Sequence, residues 1–441
     1  MANLEVKFGG LKMRNPIGIA PLNSAIGYAR KPKVQADWLM KHVDAGAGYV
    51  YVSHTRPARS SPAEARPALK FLKATCPGFA HREGLFATGD VESCINYLDT
   101  SLEVTSIIRK QLPDDVPLIA QISAPVSDLD AWGKIAKEFE DAGADMIDLD
   151  VSCPITVVSS DELEGAVSIE NIMGVSTLEV ETLCKLNLAP CIGETLEILG
   201  PIVRATVDAV KIPVGVKPSA EAGFPKCVAL AKICADNGAT CVTNINSPIT
   251  VAPPKIYERG RSPWESVNFK VNPIGAAMGP WDRYQCYKAT ATVALYVPEI
   301  DVSAVGGIVN PEHVVELLMM GAKHIGLSSG FFWKGRKLIT NSIAFLNRFM
   351  DEQGYEKMED LIGIGLKYVQ NVDASIDWEE DKITARVDKS KCSQCGVCMD
   401  FYCPVPVKGD DGFPVIDEVN CQGCGMCVAI CPTDALSIER I

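Results

Sequence analysis

The hydrophobic and polar positions of the chain repeat one short pattern four times. A helix that ends at a glycine is followed at once by a short apolar run, first at Asp44–Ala47 before Tyr49–Ser53 and again from Asp141, Asp236 and Gly321. Each repeat predicts a helix closed by a left-handed glycine and then a buried strand. Further apolar runs at 17–20, 118–122, 214–217 and 302–305 predict four more strands, and helical spacing predicts helices over 131–142, 198–210 and 312–320.

Eight strands that alternate with helices place the chain in the α/β class and favour a (β/α)8 TIM barrel. A doubly wound sheet remains an alternative, because it is built from the same strand–helix unit. About forty residues without clear periodicity, Cys153–Gly193, separate the fourth and fifth strands. In a barrel this segment lies at the C-terminal face, where active-site loops are found, although a surface insertion would also fit.

Eight cysteines near the end of the chain form two matching runs, each closed by a Cys-Pro pair. This spacing is typical of a ferredoxin-like domain with two 4Fe–4S clusters, in which the distant cysteine of one run completes the cluster of the other. Cys403 is therefore predicted to complete the cluster begun at Cys421, and Cys431 the one begun at Cys392. The predicted ligands are Cys392, Cys395, Cys398, Cys403, Cys421, Cys424, Cys427 and Cys431. A disulfide framework or a zinc ribbon does not use this arrangement.

The cysteine runs and the composition divide the chain into a large and a small part. Residues 1–372 are predicted as the barrel, the acidic residues 373–389 as a linker and residues 390–441 as the ferredoxin domain. A net charge of −13 argues against nucleic acid or an anionic membrane as a partner. The chain has no apolar run of membrane-spanning length, its first residues do not resemble a secretory signal, and its seventeen cysteines fit a cytoplasmic location.

Glycine-rich turns after the seventh and eighth strands indicate a cofactor phosphate site. Gly306-Gly307 and Ser328-Ser329-Gly330 would let the backbone approach an anion, as barrels commonly do at this position. A flavin is the usual adapter between one-electron clusters and two-electron chemistry. Lys217, in an apolar fifth strand, is predicted beside the flavin, with an ion pair to Asp148 or Asp150 as the alternative. No Gly-x-Gly-x-x-Gly turn follows a strand, so NAD(P)H is expected to bind a partner protein.

Taken together, these segments resemble the dihydroorotate dehydrogenase superfamily. The resemblance lies in Asn15–Pro21, Asp150–Pro154, Val216–Pro218, Thr243-Asn244 and the two glycine-rich turns. With the cluster module, the order of parts is similar to the FMN and iron–sulfur subunit of bacterial NAD-dependent dihydropyrimidine dehydrogenases. The resemblance implies an oligomer that receives electrons from an FAD- and NAD(P)H-binding subunit or from a ferredoxin. It implies FMN bound by Ala20, Pro21, Ser53, Lys217, Thr243, Asn244, Gly306, Gly307, Ser328 and Ser329.

The resemblance also implies a catalytic cysteine on the loop after the fourth strand. Cys191 precedes Lys217 by 26 residues, close to the spacing of the family, and is chosen over Cys184 and Cys153. Asp150, Ser152 and Asn244 are the predicted substrate-binding residues.

The substrate positions depart from the family pattern. Asp150 replaces an asparagine, the turn at Ser123 has no amide, Ile245 replaces a threonine, and His54 lies where a lysine is usual. A pyrimidine edge requires groups that both donate and accept hydrogen bonds, so these changes argue against uracil and thymine. The expected substrate is another small cyclic or unsaturated molecule that presents a donor or a cation to Asp150.

The expected reaction is the reduction or reversible oxidation of an activated C=C bond, with hydride exchanged at flavin N5 and a proton at Cys191. Two alternatives remain open. One is a dihydropyrimidine dehydrogenase that acts on uracil or thymine, and the other is an electron-transfer subunit whose barrel has no chemistry of its own.

Overall fold

The computed structural model describes most of the chain and divides it into two compact units, residues 1–369 and 370–441. The described residues are 2–21, 31–56, 70–74, 84–88, 96–125, 128–152, 196–219, 223, 225–251, 253–261, 274–369 and 382–440.

The first unit contains a sheet of parallel strands in the order of a (β/α)8 barrel. Reading along the sheet, the strands follow the order β1-β8-β7-β6-β5-β4-β3-β2, and each is parallel to its neighbour. The Gly48 amide donates to the Ile17 carbonyl at 2.8 Å, which joins the segment before β2 to β1. The predicted fold class is confirmed. The strands are β1 (Ile17–Ile19), β2 (Val50–Arg56), β3 (Leu118–Ile122), β4 (Met146–Asp150), β5 (Val214–Lys217), β6 (Cys241–Thr243), β7 (Asp301–Val305) and β8 (Ala322–Leu327).

A helix follows each barrel strand, as the alternation predicts. In α3 the side chains of Trp132, Ile135 and Phe139 share one face and are buried against the sheet. The four glycines of the repeated pattern all have positive φ, from 93° to 103°, in keeping with the predicted left-handed ends. The helices are α1 (Pro32–Asp44), α2 (Leu98–Arg109), α3 (Leu129–Asp141), α4 (Leu196–Ala209), α5 (Lys226–Asp236), α6 (Arg283–Tyr296), α7 (Glu312–Met319) and α8 (Lys337–Gln353).

An antiparallel hairpin, Val6–Phe8 with Leu11–Met13, covers the N-terminal end of the barrel. The Gly9 amide donates to the carboxylate of Asp301, the first residue of β7, at 2.8 Å. Inside the barrel the ring of Phe8 stacks on His324, which also stacks on Tyr49. This end is therefore filled by side chains, and the polar groups of the site lie at the opposite end.

Segments after β2 and β6 form a second sheet that the sequence did not predict. Its four antiparallel strands follow the order Ile249–Val251, Ile274–Met278, Gly84–Thr88 and Lys70–Ala74. Loops that follow barrel strands emerge at the C-terminal face, so this sheet arises on the same face as the site. Shorter elements are the helices Ser329–Lys334, Met358–Leu361 and Leu366–Val369, the 3-10 turns Ile256–Glu258 and Pro280–Asp282, and the strand Asn96–Tyr97.

The second unit consists of two antiparallel strand pairs and one short helix. β9 (Ile383–Val387) pairs with β12 (Leu436–Arg440), β10 (Pro406–Lys408) pairs with β11 (Pro414–Ile416), and the helix spans Met426–Ala429. β9 lies within residues 373–389, the segment predicted as a linker, so the cluster unit begins before residue 390. The prediction missed β9 because its partner strand lies about fifty residues further along the chain. Among the described helices, none is long and apolar enough to cross a membrane.

Candidate functional site

Polar side chains from five consecutive strand ends meet at the C-terminal mouth of the barrel. They form one hydrogen-bonded chain, and all of them are buried except Asn246, which is half-buried. In order along this chain they are Ser123, His54, Asp150, Ser152, Asn246 and Lys217.

Asp150, the last residue of β4, is the centre of this chain. Its Oδ2 lies 3.0 Å from His54 Nδ1, and its Oδ1 accepts from the Ser152 amide at 3.1 Å and the Ser152 hydroxyl at 2.5 Å. Burial raises the pKa of Asp150, but the Lys217 ammonium and His54 outweigh burial and hold that pKa well below its usual range. Asp150 is therefore an ionised carboxylate whose two oxygens already have protein donors. It was predicted to receive a donor or cation of the substrate, and in this geometry it also positions His54 and Ser152.

His54 is directed toward its neighbours by an irregularity in β2. Val52 pairs with Ala120 and Thr55 with Ile122, so β2 carries one extra residue between these two pairs. Such a bulge re-aims a side chain. His54 Nε2 lies 2.7 Å from Ser123 Oγ, and the Ser123 amide donates to the Thr55 carbonyl at 3.0 Å.

Lys217 and Asn246 complete the chain of contacts. Lys217 Nζ donates to Asn246 Oδ1 at 3.2 Å, and Asn246 Nδ2 donates to Ser152 Oγ at 2.9 Å. The Lys217 charge also acts to lower the pKa of both Asp148 and Asp150. Asn246 was missed in the sequence, although it lies two positions beyond Asn244, where an extended chain points to the same side.

Asp148 lies on the same side of β4 as Asp150, two residues earlier in the strand and deeper in the barrel. Its Oδ2 accepts from Gln121 Nε2 at 2.9 Å. Burial raises the pKa of Asp148 to about 6, although Gln121 and Lys217 act in the opposite direction. Neighbouring carboxyls with pKa values displaced in opposite directions are characteristic of functional sites.

The side chain of Asn244, predicted to bind both cofactor and substrate, is held by protein groups. Its Nδ2 donates to the Cys286 carbonyl at 3.0 Å and to Thr290 Oγ1 at 2.5 Å, and its Oδ1 accepts from the Val305 amide at 3.1 Å. Asn244 therefore fastens α6 to the end of β7. The amide that reaches the polar chain from this loop belongs to Asn246.

The two predicted glycine-rich turns lie against each other. A Cβ on Gly330 would lie 2.2 Å from the Ile308 carbonyl oxygen, and one on Gly307 would lie 2.3 Å from the Arg283 amide nitrogen. Gly306 and Gly307 have φ of 133° and 66°, which favour glycine. Backbone thus lines this corner without side chains between the turns, which fits the close approach of an anionic group such as a flavin phosphate.

The remaining predicted cofactor residues surround the same end of the barrel. The Ala20 amide donates to the Leu327 carbonyl at 2.9 Å, which holds the end of β1 against β8, and Pro21 follows it. Ser329 is buried beside Gly330, Ser328 is half-buried, and Thr243 is buried in register with Ser303. The backbone of Ser53 lies in the bulge of β2. The candidate catalytic cysteines Cys191, Cys184 and Cys153 lie outside the described residues.

The cysteines of the second unit are arranged as two crossed sets. Cys403 lines one cavity of about 690 Å³ together with Cys421, Cys424 and Cys427. Burial raises the pKa of Cys398, and the neighbouring Cys392, Cys395 and Cys431 raise it further, which places these four thiols together. In this arrangement each run of three cysteines meets the Cys-Pro cysteine of the other run.

Backbone amides point at several of these sulfur atoms. Ala385 donates to Cys421 Sγ at 3.4 Å, Ala435 to Cys431 Sγ at 3.3 Å and Gln394 to Cys392 Sγ at 3.4 Å. Amide hydrogen bonds to sulfur stabilise the negative charge of cluster thiolates. The donor set therefore fits iron–sulfur clusters.

Comparison with known proteins supports both units. Residues 384–432 match the model of a 4Fe-4S dicluster domain. Over 55 residues, 12% of this chain and 9% of the other protein, the chain is 42% identical to the indolepyruvate oxidoreductase subunit IorA of Methanothermobacter marburgensis. An iron–sulfur domain at the C-terminal end of the chain is thus confirmed.

Most of the chain is similar to subunits of two dehydrogenases. It is 25% identical over 303 residues to the NAD-dependent dihydropyrimidine dehydrogenase subunit PreA of Escherichia coli, a match that covers 68% of this chain and 65% of that protein, just under two thirds of its length. It is 24% identical over 295 residues to the catalytic subunit of dihydroorotate dehydrogenase B (NAD(+)) of Methanothermobacter thermautotrophicus, which covers 65% of this chain and 82% of that protein. The resemblance indicated by the sequence motifs is confirmed.

Proposed function

We propose that this chain is a flavin- and iron–sulfur-dependent oxidoreductase that reduces, or reversibly oxidises, an activated C=C bond of a small cyclic or unsaturated molecule. The observation that carries the proposal is the buried polar chain at the barrel mouth, with ionised Asp150 and the Lys217 ammonium at the same end of the barrel as the glycine-lined corner. Burying a charge costs free energy unless the charge is paired. Here the buried charges lie at the C-terminal face, where the active sites of barrel enzymes are found. The similar proteins are dehydrogenases of pyrimidine-type rings.

The cofactors are proposed to be FMN and two 4Fe–4S clusters. When bound, FMN would accept and release electrons singly on the cluster side and in pairs on the substrate side. Gly306, Gly307, Ser328 and Ser329 would hold its phosphate, and Ala20 and Pro21 would border it. Lys217 would place positive charge beside the ring system, where it favours a reduced and anionic flavin.

The clusters are proposed to carry electrons from a partner. Because the chain has no dinucleotide-binding turn, the partner would be a subunit that binds FAD and NAD(P)H, or a ferredoxin. The relative PreA is named as a subunit of an NAD-dependent enzyme, which supports a partner of this kind.

Cys191 is proposed to exchange the proton on the substrate carbon opposite to the one that exchanges hydride, with Cys184 and Cys153 as alternatives on the same segment. Ser123, Ser152 and Asn246 lie in the same polar chain as Asp150 and would provide further hydrogen bonds to the substrate. The side-chain amide of Asn246 can both donate and accept hydrogen bonds, as a pyrimidine edge requires. It therefore supports the alternative of a pyrimidine substrate, against which the sequence motifs alone argued.

Single-turnover oxidation of the photoreduced holoprotein tests this function. Uracil, thymine and other unsaturated rings are added one at a time, and bleaching and recovery of flavin absorbance are followed. A substrate should restore the oxidised flavin stoichiometrically, whereas recovery with none of them would favour an electron-transfer subunit.

The variant Cys191→Ala should keep flavin and clusters but slow this oxidation by about 10²-fold or more, because it removes a general acid. Its matched control is Cys234→Ala, which alters a thiol buried in α5 and should react as fast as wild type. A near-wild-type rate in Cys191→Ala would refute the role of Cys191.

A further inference from the structure

Ser123, His54 and Asp150 form a continuous line across the ends of β3, β2 and β4. The imidazole of His54 contacts Ser123 Oγ through Nε2 at 2.7 Å and Asp150 Oδ2 through Nδ1 at 3.0 Å. All three residues are at least nine-tenths buried. Both ring nitrogens therefore have a partner of defined chemistry, a hydroxyl on one side and a carboxylate on the other.

The surrounding backbone holds this line in place. The bulge in β2 aims His54, and the Ser123 amide is fixed to the Thr55 carbonyl. The turn after Ser123 is held by Trp132, whose Nε1 donates to the Pro125 carbonyl at 3.0 Å. Asp150 is fixed on its other side by the amide and hydroxyl of Ser152.

The ionised carboxylate decides the tautomer of the ring. An acceptor-only Asp150 requires a proton on His54 Nδ1 in either charge state, so Nε2 is the nitrogen that exchanges a proton with Ser123: it accepts from the hydroxyl in the neutral ring and donates to Oγ in the imidazolium. The same three groups in the same order activate a hydroxyl in unrelated hydrolases, where the carboxylate orients the ring and stabilises its charged form.

We propose that Ser123, His54 and Asp150 are a proton relay that acts on the activating oxygen of the substrate, the carbonyl conjugated to its C=C bond. This inference rests on the proposed function and names its substrate class: an alkene activated by a carbonyl group. Ser123 is the catalytic residue of the relay, and His54 and Asp150 are positioning residues that act through it.

The relay donates a proton to the carbonyl oxygen of the substrate and later recovers it. As one alkene carbon accepts the hydride that the reduced flavin of the proposed function would supply, charge develops on the carbonyl oxygen, which takes the proton of Ser123 Oγ while Oγ takes the Nε2 proton of His54 in its protonated form. When the second carbon is protonated by the loop acid, the oxygen returns its proton to Oγ, and Nε2 recovers its own. The net change is one hydride and one proton added to the C=C bond, and the relay ends as it began.

The first experiment examines the relay without turnover. ¹⁵N-histidine NMR of the holoprotein follows five histidines, and His54→Gln assigns the relevant signal. The neutral form of His54 is expected to carry its proton on Nδ1. Ser123→Ala should shift its Nε2 resonance, while Ser342→Ala, which alters a buried hydroxyl in α8, should not. The opposite tautomer, or an Nε2 resonance that Ser123→Ala leaves unchanged, would overturn the relay.

The second experiment measures oxidation of the photoreduced holoprotein by 2-cyclohexen-1-one, a cyclic alkene activated by a carbonyl group. Ser123→Ala should slow flavin reoxidation by about 10²-fold and change its solvent deuterium isotope effect, whereas Ser123→Thr should retain the wild-type rate and isotope effect. Equal rates and isotope effects in wild type and Ser123→Ala would overturn the proposal. If neither this probe nor any other C=C acceptor oxidises the wild type, the proposed function fails, and the NMR result alone decides whether the relay exists.

Discussion

Asp148 and Asp150 show how strongly the surroundings of a carboxyl group determine its pKa. Two residues apart on one strand, they face the same interior, and both are buried. Asp150 meets His54 and Ser152, which stabilise its charge, whereas Asp148 accepts from Gln121 and burial raises its pKa to about 6. The site therefore holds one permanent carboxylate and one carboxyl that titrates close to neutral pH.

The raised pKa of Asp148 predicts a pH-dependent stability. The folded chain binds this proton more tightly than the unfolded chain, in which the pKa is 3.8. The contribution is therefore fully present below pH 3.8 and is lost as the pH rises through about 6. Asp148→Asn removes this loss, so the variant should gain up to about 3 kcal/mol relative to wild type at pH 8 and less at pH 5.

Thermal unfolding of both proteins at pH 5 and pH 8 measures this difference. The control Asp114→Asn, which alters an exposed carboxyl between α2 and β3, should follow wild type at both pH values. A Tm difference between Asp148→Asn and wild type that does not change with pH would contradict the assignment.

At the scale of elements, irregular backbone at strand ends arranges the site. The bulge in β2 turns His54 toward β3 and β4, and the short helix Ser329–Lys334 begins where Gly330 touches the turn after β7. Regular strands would direct these groups elsewhere, because alternate side chains of a strand point to opposite faces. Function thus depends on a few departures from an otherwise regular barrel.

Gly330→Ala tests the contact between the two turns. Its new methyl group would lie 2.2 Å from the Ile308 carbonyl oxygen, so the helix or the turn must shift. We expect a loss of stability of about 1–3 kcal/mol and weaker retention of flavin during gel filtration.

The matched control is Gly223→Ala, because a Cβ there meets no atom within 4 Å. It should keep the wild-type Tm and flavin content. Wild-type flavin retention in Gly330→Ala would show that this corner does not hold the cofactor.

At the scale of the molecule, the chain forms two compact units, and under the proposed function one carries out the chemistry and the other supplies electrons. The barrel unit concentrates buried polar groups at one end, and the second unit gathers its cysteines in two crossed sets. Because each set draws a residue from both cysteine runs, the loss of either proposed cluster should disturb the packing of the other run.

Paired cysteine substitutions test the crossed arrangement. Cys403→Ser and Cys403→Ser/Cys421→Ser should lose the same cluster, so iron content and the EPR spectrum of the reduced protein should be nearly alike. Cys403→Ser/Cys392→Ser should lose both clusters, about eight iron atoms. If Cys403→Ser pairs instead with Cys392→Ser in losing one cluster, the sets are not crossed.

The sequence by itself determined the features that depend on neighbouring residues. Glycine stops and apolar runs predicted the barrel strands and helices, since each repeat is local, and the cysteine spacing predicted the iron–sulfur domain because cluster ligation constrains short stretches of chain. Only the tertiary structure decided which distant groups meet. It turned Asn244 toward α6 and Asn246 toward Lys217, joined His54 to Asp150 across a bulge, and paired β9 with a strand about fifty residues away. These contacts depend on packing between elements, which no local pattern records.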